Sequence, residues 1–375
     1  MKIIGTGSAL PNKTVTNEML AKLMDTSDEW ISARTGIKTR RVLSTETLVD
    51  LAVAACNKAI ASAQITPDDI DFIICSNVAN NFVTPQLSTI LQGTIGSHCP
   101  CIDLNGACAG FIYAIQIADS FLRTDRAKNI LIICAEEPTK FCNWSERDTT
   151  ILFGDGAGAV VVSGEDDALK SIRLTADSKT DVLYYRLPME QTPFQKGNEE
   201  YNPLVMKGKD VFRIAVTSSC KDVDYVLGEA GLTPEDIAHY ILHQANLRII
   251  KSIREHLNQP EEKFPTNLER YGNTSSASIP ILIDELSRKG KLAEDEYILL
   301  SAFGAGFVTG ACVLQWHKIK YPRIKAEVKE AHELQAATTE ALPENTMKLQ
   351  SKADELSEKM KKNSMEAEKA VYDAK

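Results

Sequence analysis

The sequence predicts an α/β protein made of two stacked, pseudo-equivalent halves, and three observations predict it. The segment QITPDDIDFII at 64–74 reappears as GLTPEDIAHYI at 231–241, a shift of 167 residues. At nearly the same offset, NILII at 129–133 matches YILLS at 297–301. Each copy alternates helix-period stretches with short β-rich runs such as Phe72 to Cys75 and Gly158 to Val162, the pattern of helices laid over a mostly buried sheet. The halves are therefore expected at 1–168 and 169–316, with the seam between Ser163 and Leu174, after the turn Gly154 to Gly158.

The remaining stretch, 317–375, changes character. It carries 12 Lys or Arg and 11 Asp or Glu, few large apolar side chains, and the helix-breaking Pro322 and Pro343. It reads as a charged, helical appendage. Within 344–375 a weak apolar stripe through Ala353, Leu356, Met360 and Ala367 fits either a solvated helix or one that binds a protein partner.

Composition narrows the function classes. A chain of 375 residues with 43% hydrophobic content is a globular protein, and its net charge of −9 argues against nucleic-acid binding. Nine cysteines, an odd number without a metal-type CxxC pair, suggest free thiols in a reducing cytoplasm and no bound metal. The amino terminus runs directly into a strand pattern rather than a signal peptide, and no apolar stretch approaches the roughly 18 residues of a membrane span. A cytoplasmic enzyme or binding protein without membrane association is expected.

Three stretches carry the chemistry. In LNGACAGF at 104–111, small residues surround Cys108 and an apolar helical run follows, so the thiol is expected at the amino end of a buried helix, where thiolate is favoured. Core packing fits that apolar run equally well. His243 follows the apolar strand Tyr240 to Leu242, a position that suits a catalytic imidazole or a hydrogen-bonded structural one. In YGNTSSAS at 271–278 the polar residues either cap a helix or serve a site. The repeat bears on the choice: shifted by 167, Cys108 lands on Ser275, so Cys108 and Asn273 are expected to face each other across the seam, while the counterpart of His243 is Ser76.

These residues belong to a longer series: GACAGF at 106–111, HQANLRII at 243–250, GNTSSAS at 272–278 and FGAGF at 303–307, together with IIGTGSALP at 3–11, DEWISARTGIKTRR at 28–41 and FGDGAGA at 153–159. In order and with few gaps over residues 1–316, the series resembles the β-ketoacyl-acyl-carrier-protein synthases of type III, in the thiolase superfamily. The resemblance implies a thiolase-like fold in α-β-α-β-α layers. It implies a homodimeric acyltransferase with a Cys108, His243 and Asn273 triad and no permanently bound cofactor. Its substrates would be acyl-CoA and malonyl-acyl-carrier protein, joined by decarboxylative condensation to start a fatty-acid or related acyl chain. The alternative is a relative acting on an unusual acyl group in specialised metabolism.

The same resemblance implies further roles. Backbone amides of Cys108 and Ala305 would form the oxyanion hole, and Phe303 would wall the channel or simply pack. Trp30, Arg34, Thr35 and Arg147 would bind CoA, with adenine between Trp30 and Arg147. Arg213, Gln244, Ala245, Asn246, Leu247, Arg248 and Lys251 would meet an acidic carrier protein. Thr84, reaching across the dimer where short-chain members carry a bulky Phe, would set the acyl pocket's depth and favour longer primers. The chain departs from the family pattern at Ala305, Asp148, Val308, Thr309, Glu255 and His256.

Overall fold

The computed structural model describes residues 1–187, 193–194, 197 and 203–321. The expected appendage, apart from its first residues, and its 344–375 helix lie outside them.

The first half contributes strands β1 (Lys2–Ala9), β2 (Lys13–Thr16), β3 (Thr39–Val42), β4 (Phe72–Ser76), β5 (Cys101–Leu104), β6 (Asn129–Glu136) and β7 (Gly156–Ser163). Its helices are α1 (Asn17–Leu20), α2 (Asp28–Thr35), α3 (Leu48–Ala63), α4 (Leu87–Ile95), α5 (Gly110–Arg123) and α6 (Arg147–Thr150). The second half contributes β8 (Leu169–Ala176), β9 (Leu183–Tyr184), β10 (Val205–Met206), β11 (Ile237–Leu242), β12 (Tyr297–Gly304) and β13 (Val308–Gln315). Its helices are α7 (Gly208–Ala230), α8 (Leu247–Leu257), α9 (Leu268–Tyr271) and α10 (Ser278–Arg288).

Two sheets share one topology. The first runs β1-β7-β6-β4-β5 and the second β8-β13-β12-β11, so each strand of the second has a counterpart and β5 alone has none. In both, the two inner strands of the crossover are parallel (β4 with β6, β11 with β12), whereas the later hairpin partner runs antiparallel.

Side-chain alternation builds the layers. Along β6, Ile130, Ile132 and Cys134 enter a core shared with α5, α10 and the second sheet, while Leu131, Ile133 and Ala135 face α3 and α4. Leu299 and Val313 of the second sheet point the other way, toward α7 and α8. The order is therefore α3/α4, sheet, α5/α10, sheet, α7/α8, the layered arrangement expected.

The repeated TP-x-D phrase is not a helix start. In both copies it closes a single 3₁₀ turn before a strand, with the Thr amide donating to Asp Oδ2 at 2.8 Å, Thr66 to Asp69 and Thr233 to Asp236. No helix among the described residues is long and apolar enough to cross a membrane.

Candidate active site

Cys108 sits one step earlier than its sequence suggests. It lies in the 3₁₀ turn Ala107–Ala109 that precedes α5, after Ala107 has taken a left-handed φ of 45°. Two glycines make this possible. A Cβ on Gly110 would stand 2.0 Å from Ser76 Oγ, and one on Gly304 of β12 would stand 2.7 Å from the Cys108 amide nitrogen. The thiol is thus pressed against the end of the second sheet.

The second half repeats this turn at Ser275–Ala277, with Ser275 at φ 52°. The backbone equivalence is offset by 168 rather than 167, so Ala107 matches Ser275 and Cys108 matches Ser276. The expected neighbour is nonetheless present: Ser275 Oγ donates to Cys108 Sγ at 3.4 Å. Asn273, two residues earlier, is locked by its backbone, its amide donating to Leu152 O at 2.8 Å and its carbonyl accepting from Gly154 at 3.0 Å. Its Oδ1 accepts from the Ser275 amide at 2.8 Å, which turns Nδ2, the donor, toward the cavity.

His243 begins where β11 ends, its amide bound to Ser301 O at 2.8 Å. Its Nδ1 lies 2.7 Å from Ser278 Oγ, and its ring meets Phe303 edge-on at 5.3 Å between centroids. Nε2 is buried and has no hydrogen-bond partner among the described residues. Burial, with no opposing charge, pushes the imidazole down to about 3, so it is neutral at physiological pH. Burial also pushes the Cys108 thiol up to about 12; the Ser275 hydroxyl opposes that shift and buried Glu136 adds to it. The expected thiolate is therefore not the resting form: desolvation outweighs the amino end of the helix.

Two cavities meet at Cys108. One of about 410 Å³ is bordered by His243, Asn273, Phe303, Arg34, Thr35 and Arg248. The other, about 440 Å³, is bordered by Phe141, Leu183, Tyr184, Leu204 and Ala305. Ala305 adopts no positive φ, so its methyl is accommodated without strain.

Other expected residues fall into place unevenly. Arg34 and Arg147 both lie over Trp30, at 4.1 and 4.5 Å from the ring centroid. Arg147 also donates to Asp25 O at 2.8 Å. A base between two planes needs about 7 Å, two van der Waals contacts, so the Trp30–Arg147 slot is closed in this conformation. Thr35 is buried and spends its hydroxyl on Ile31 O and the Ile37 amide. Gln244 is fully buried, bridging Leu242 O and the Asn267 amide, and Ala245 is buried as well, which removes both from a carrier-docking face. Asn246 caps α8, Leu247 packs over Gly36, Arg248 covers Phe212, and Arg213 and Lys251 are exposed. Thr84 is exposed and borders neither cavity of its own chain.

Sequence reasoning missed Glu136. It is fully buried at the end of β6, accepting from Ser276 Oγ at 2.5 Å and from the Val78 amide at 3.3 Å, and burial pushes its carboxyl up to about 7. A charged residue ending an otherwise apolar strand was the available signal.

Comparison with known proteins shows the family. Residues 102–180 match the family model described as 3-Oxoacyl-[acyl-carrier-protein (ACP)] synthase III, and 227–316 match its C-terminal counterpart. The chain is 41% identical over 318 residues to a β-ketoacyl-acyl-carrier-protein synthase III of Xanthomonas campestris pv. campestris, covering 84% of this chain and 98% of that protein. It belongs to this family. A synthase III of Clostridium acetobutylicum is 41% identical over 323 residues, covering 85% and 99% of the two chains. The crystal structure of the Aquifex aeolicus synthase III superposes with a TM-score of 0.79 at 39% identity, over 84% of this chain and 99% of that one. The priming β-ketosynthase of the R1128 polyketide pathway superposes at 0.78 with 32% identity, over 85% and 97%.

Proposed function

We propose that this synthase III family member is a condensing enzyme that loads an acyl group from acyl-CoA onto Cys108 and joins it to malonyl-acyl-carrier protein, giving the 3-oxoacyl product. One observation carries the reading: Cys108 stands where two cavities meet, and His243 and Asn273 border only one of them. Thioesters enter through the cavity at Arg34 and Arg248, and the acyl chain lies in the apolar one.

In the first half-reaction the Cys108 sulfur bonds to the thioester carbonyl carbon while its proton leaves and ends on the departing CoA thiol. The Cys108 and Ala305 amides hold the oxyanion. In the second, malonyl-carrier protein loses carbon dioxide, and its enolate oxygen needs neutral donors. Asn273 Nδ2 is one. Ser278 Oγ accepts from the Gln244 amide at 3.4 Å and lies 2.7 Å from His243 Nδ1; in the tautomer where it donates to Nδ1, the ring proton sits on Nε2, the other donor. The enolate carbon attacks the acyl group, and Cys108 leaves as thiolate and is reprotonated. Both thioesters are substrates, and nothing in the scheme calls for a resident cofactor.

The halves 1–168 and 169–316 act as one folded unit in this reading, in the cytoplasm. Two copies pair along β5, whose open edge carries exposed Ile102 on the same half as exposed Phe82 and Val83. Thr84 then reaches the partner's acyl cavity. The R1128 relative motivates a second reading, an unusual primer for specialised metabolism, which a panel of acyl-CoAs distinguishes by the acyl mass left on Cys108.

The test separates the half-reactions. Cys108→Ala abolishes both acyl loading and product. His243→Ala and Asn273→Ala keep acyl loading, read by intact mass, and lose release of carbon dioxide by on the order of 100-fold. Loading that fails in all three overturns the division of labour.

A further inference from the structure

Among the described residues, Arg40 is the cation with no exposed surface, and the reaction scheme leaves it unused. It projects from β3. Nη1 donates to Asn17 Oδ1 at 2.8 Å and to Val15 O at 3.3 Å, and Nη2 donates to Ile151 O at 2.8 Å. Nε has no partner among the described residues, and no carboxylate bonds to the guanidinium. Burial lowers it only to about 10, so it stays charged at neutral pH. A buried charge balanced by carbonyl dipoles alone is costly, and an apolar side chain of similar volume would fill the space more cheaply.

The guanidinium's contacts explain where that cost goes. Ile151 opens the segment whose next peptide accepts from the Asn273 amide and whose Gly154 donates to the Asn273 carbonyl. The stem of Arg40 presses on both sides of that ladder: a Cβ on Gly154 would stand 3.1 Å from Arg40 Cβ, and one on Gly272, at φ 67°, would stand 3.4 Å away. At its other end, Asn17 Nδ2 donates to Asp28 Oδ1 at 2.7 Å and Ile37 O at 2.8 Å, tying the cluster to α2.

We propose that Arg40 is a positioning residue for the Asn273 carboxamide, its bond to the Ile151 carbonyl fixing the short backbone ladder that aims Nδ2 into the cavity. The proposal rests on the reading of Asn273 as an enolate donor. It makes Arg40 specific to one half-reaction, because Cys108 and the Ala305 amide are held by other elements.

The experiment uses the full chain and measures three quantities. These are acylation of Cys108 at saturating acyl-CoA, carbon dioxide release from malonyl-carrier protein by the acylated enzyme, and thermal unfolding. In Arg40→Lys, which keeps the charge but cannot span both partners, release falls 10- to 100-fold, the cost of displacing a donor by about 1 Å. Acylation stays within about threefold and the KM for malonyl-carrier protein changes little. Asn17→Ala keeps the Ile151 bond and frees the other end, and gives a smaller, several-fold fall in the same step; where Arg40→Lys does not fold, this variant decides. Parallel loss of both half-reactions with the melting temperature, or undiminished release, overturns the proposal. Asn273→Ala runs beside them. Full release in Asn273→Ala sinks the site reading itself, whereas loss there with full release in Arg40→Lys sinks the Arg40 proposal alone.

Discussion

Ser275 Oγ, from the second half of the chain, donates to Cys108 Sγ in the first across 3.4 Å. This hydroxyl is the thiol's direct hydrogen-bond partner, and it opposes the burial that raises the thiol. Replacing Ser275 with Ala therefore slows Cys108 acylation about fivefold, the worth of one net hydrogen bond. It also moves the iodoacetamide pH–rate curve to higher pH. In the unmodified enzyme that curve climbs through pH 9 without a plateau, because a thiol held at about 12 is still neutral there. A plateau near pH 7 would show the thiolate to be the resting form after all.

Glu136 makes stability depend on pH. Its carboxyl is raised from 4.5 to about 7 by burial, so the folded chain keeps a proton that the unfolded chain gives up. Its favourable contribution is complete below pH 4.5 and is lost as pH rises to 7, roughly 3 kcal/mol in all. Asp155, raised by burial to about 6, acts in the same direction. In urea unfolding at pH 5 and pH 8, Glu136→Gln therefore gains about 2–3 kcal/mol on the parent between the two conditions. Parallel behaviour of the two proteins would place Glu136's ionisation outside this window.

Gly304→Ala tests the close approach of β12 to the Cys108 turn. The new methyl would meet the Cys108 nitrogen at 2.7 Å and the Ala107 Cβ at 2.9 Å, neither on a flexible side chain. Stability falls by about 1–3 kcal/mol, and acylation falls by more than carbon dioxide release does, since the displaced group is the thiol. Equal retention of both steps would mean that the turn yields freely.

Arg147→Ala tests the closed face of Trp30. With the guanidinium 4.5 Å from the ring centroid, an adenine stacked there, as the resemblance to the family implies, would first displace it and then regain it as a partner. The KM for acyl-CoA rises about 2- to 5-fold in the variant, as expected for one cation–π contact, while that for acyl-pantetheine is unchanged. An identical KM for acyl-CoA assigns Arg147 to Asp25 alone.

The layered fold was legible because Thr66 and Thr233 open the same capped turn before equivalent strands, and local sequence alone dictates that turn. Cys108, His243 and Asn273 were legible as candidates because small residues surround the thiol ahead of an apolar run, the imidazole follows an apolar strand, and the carboxamide lies in a polar turn. What escaped depends on distances between segments remote in sequence. The thiol's raised affinity for its proton follows from desolvation, which helix-end reasoning does not register. The resemblance alone places Gln244 on a docking face, yet Leu242 and Asn267 consume its amide. Nothing in the sequence around Arg40 singles it out; only the fold brings Ile151 to its fork.

The apolar cavity beyond Cys108 takes Leu183 and Tyr184 from one short hairpin strand and Leu204 from beside the other, whereas His243 and Asn273 belong to the opposite side of the sulfur. The same hairpin also reaches that opposite side, where Leu183 and Met206 border the cavity of His243 and Asn273. A change in this one hairpin therefore reshapes the space on both flanks of the thiol at once.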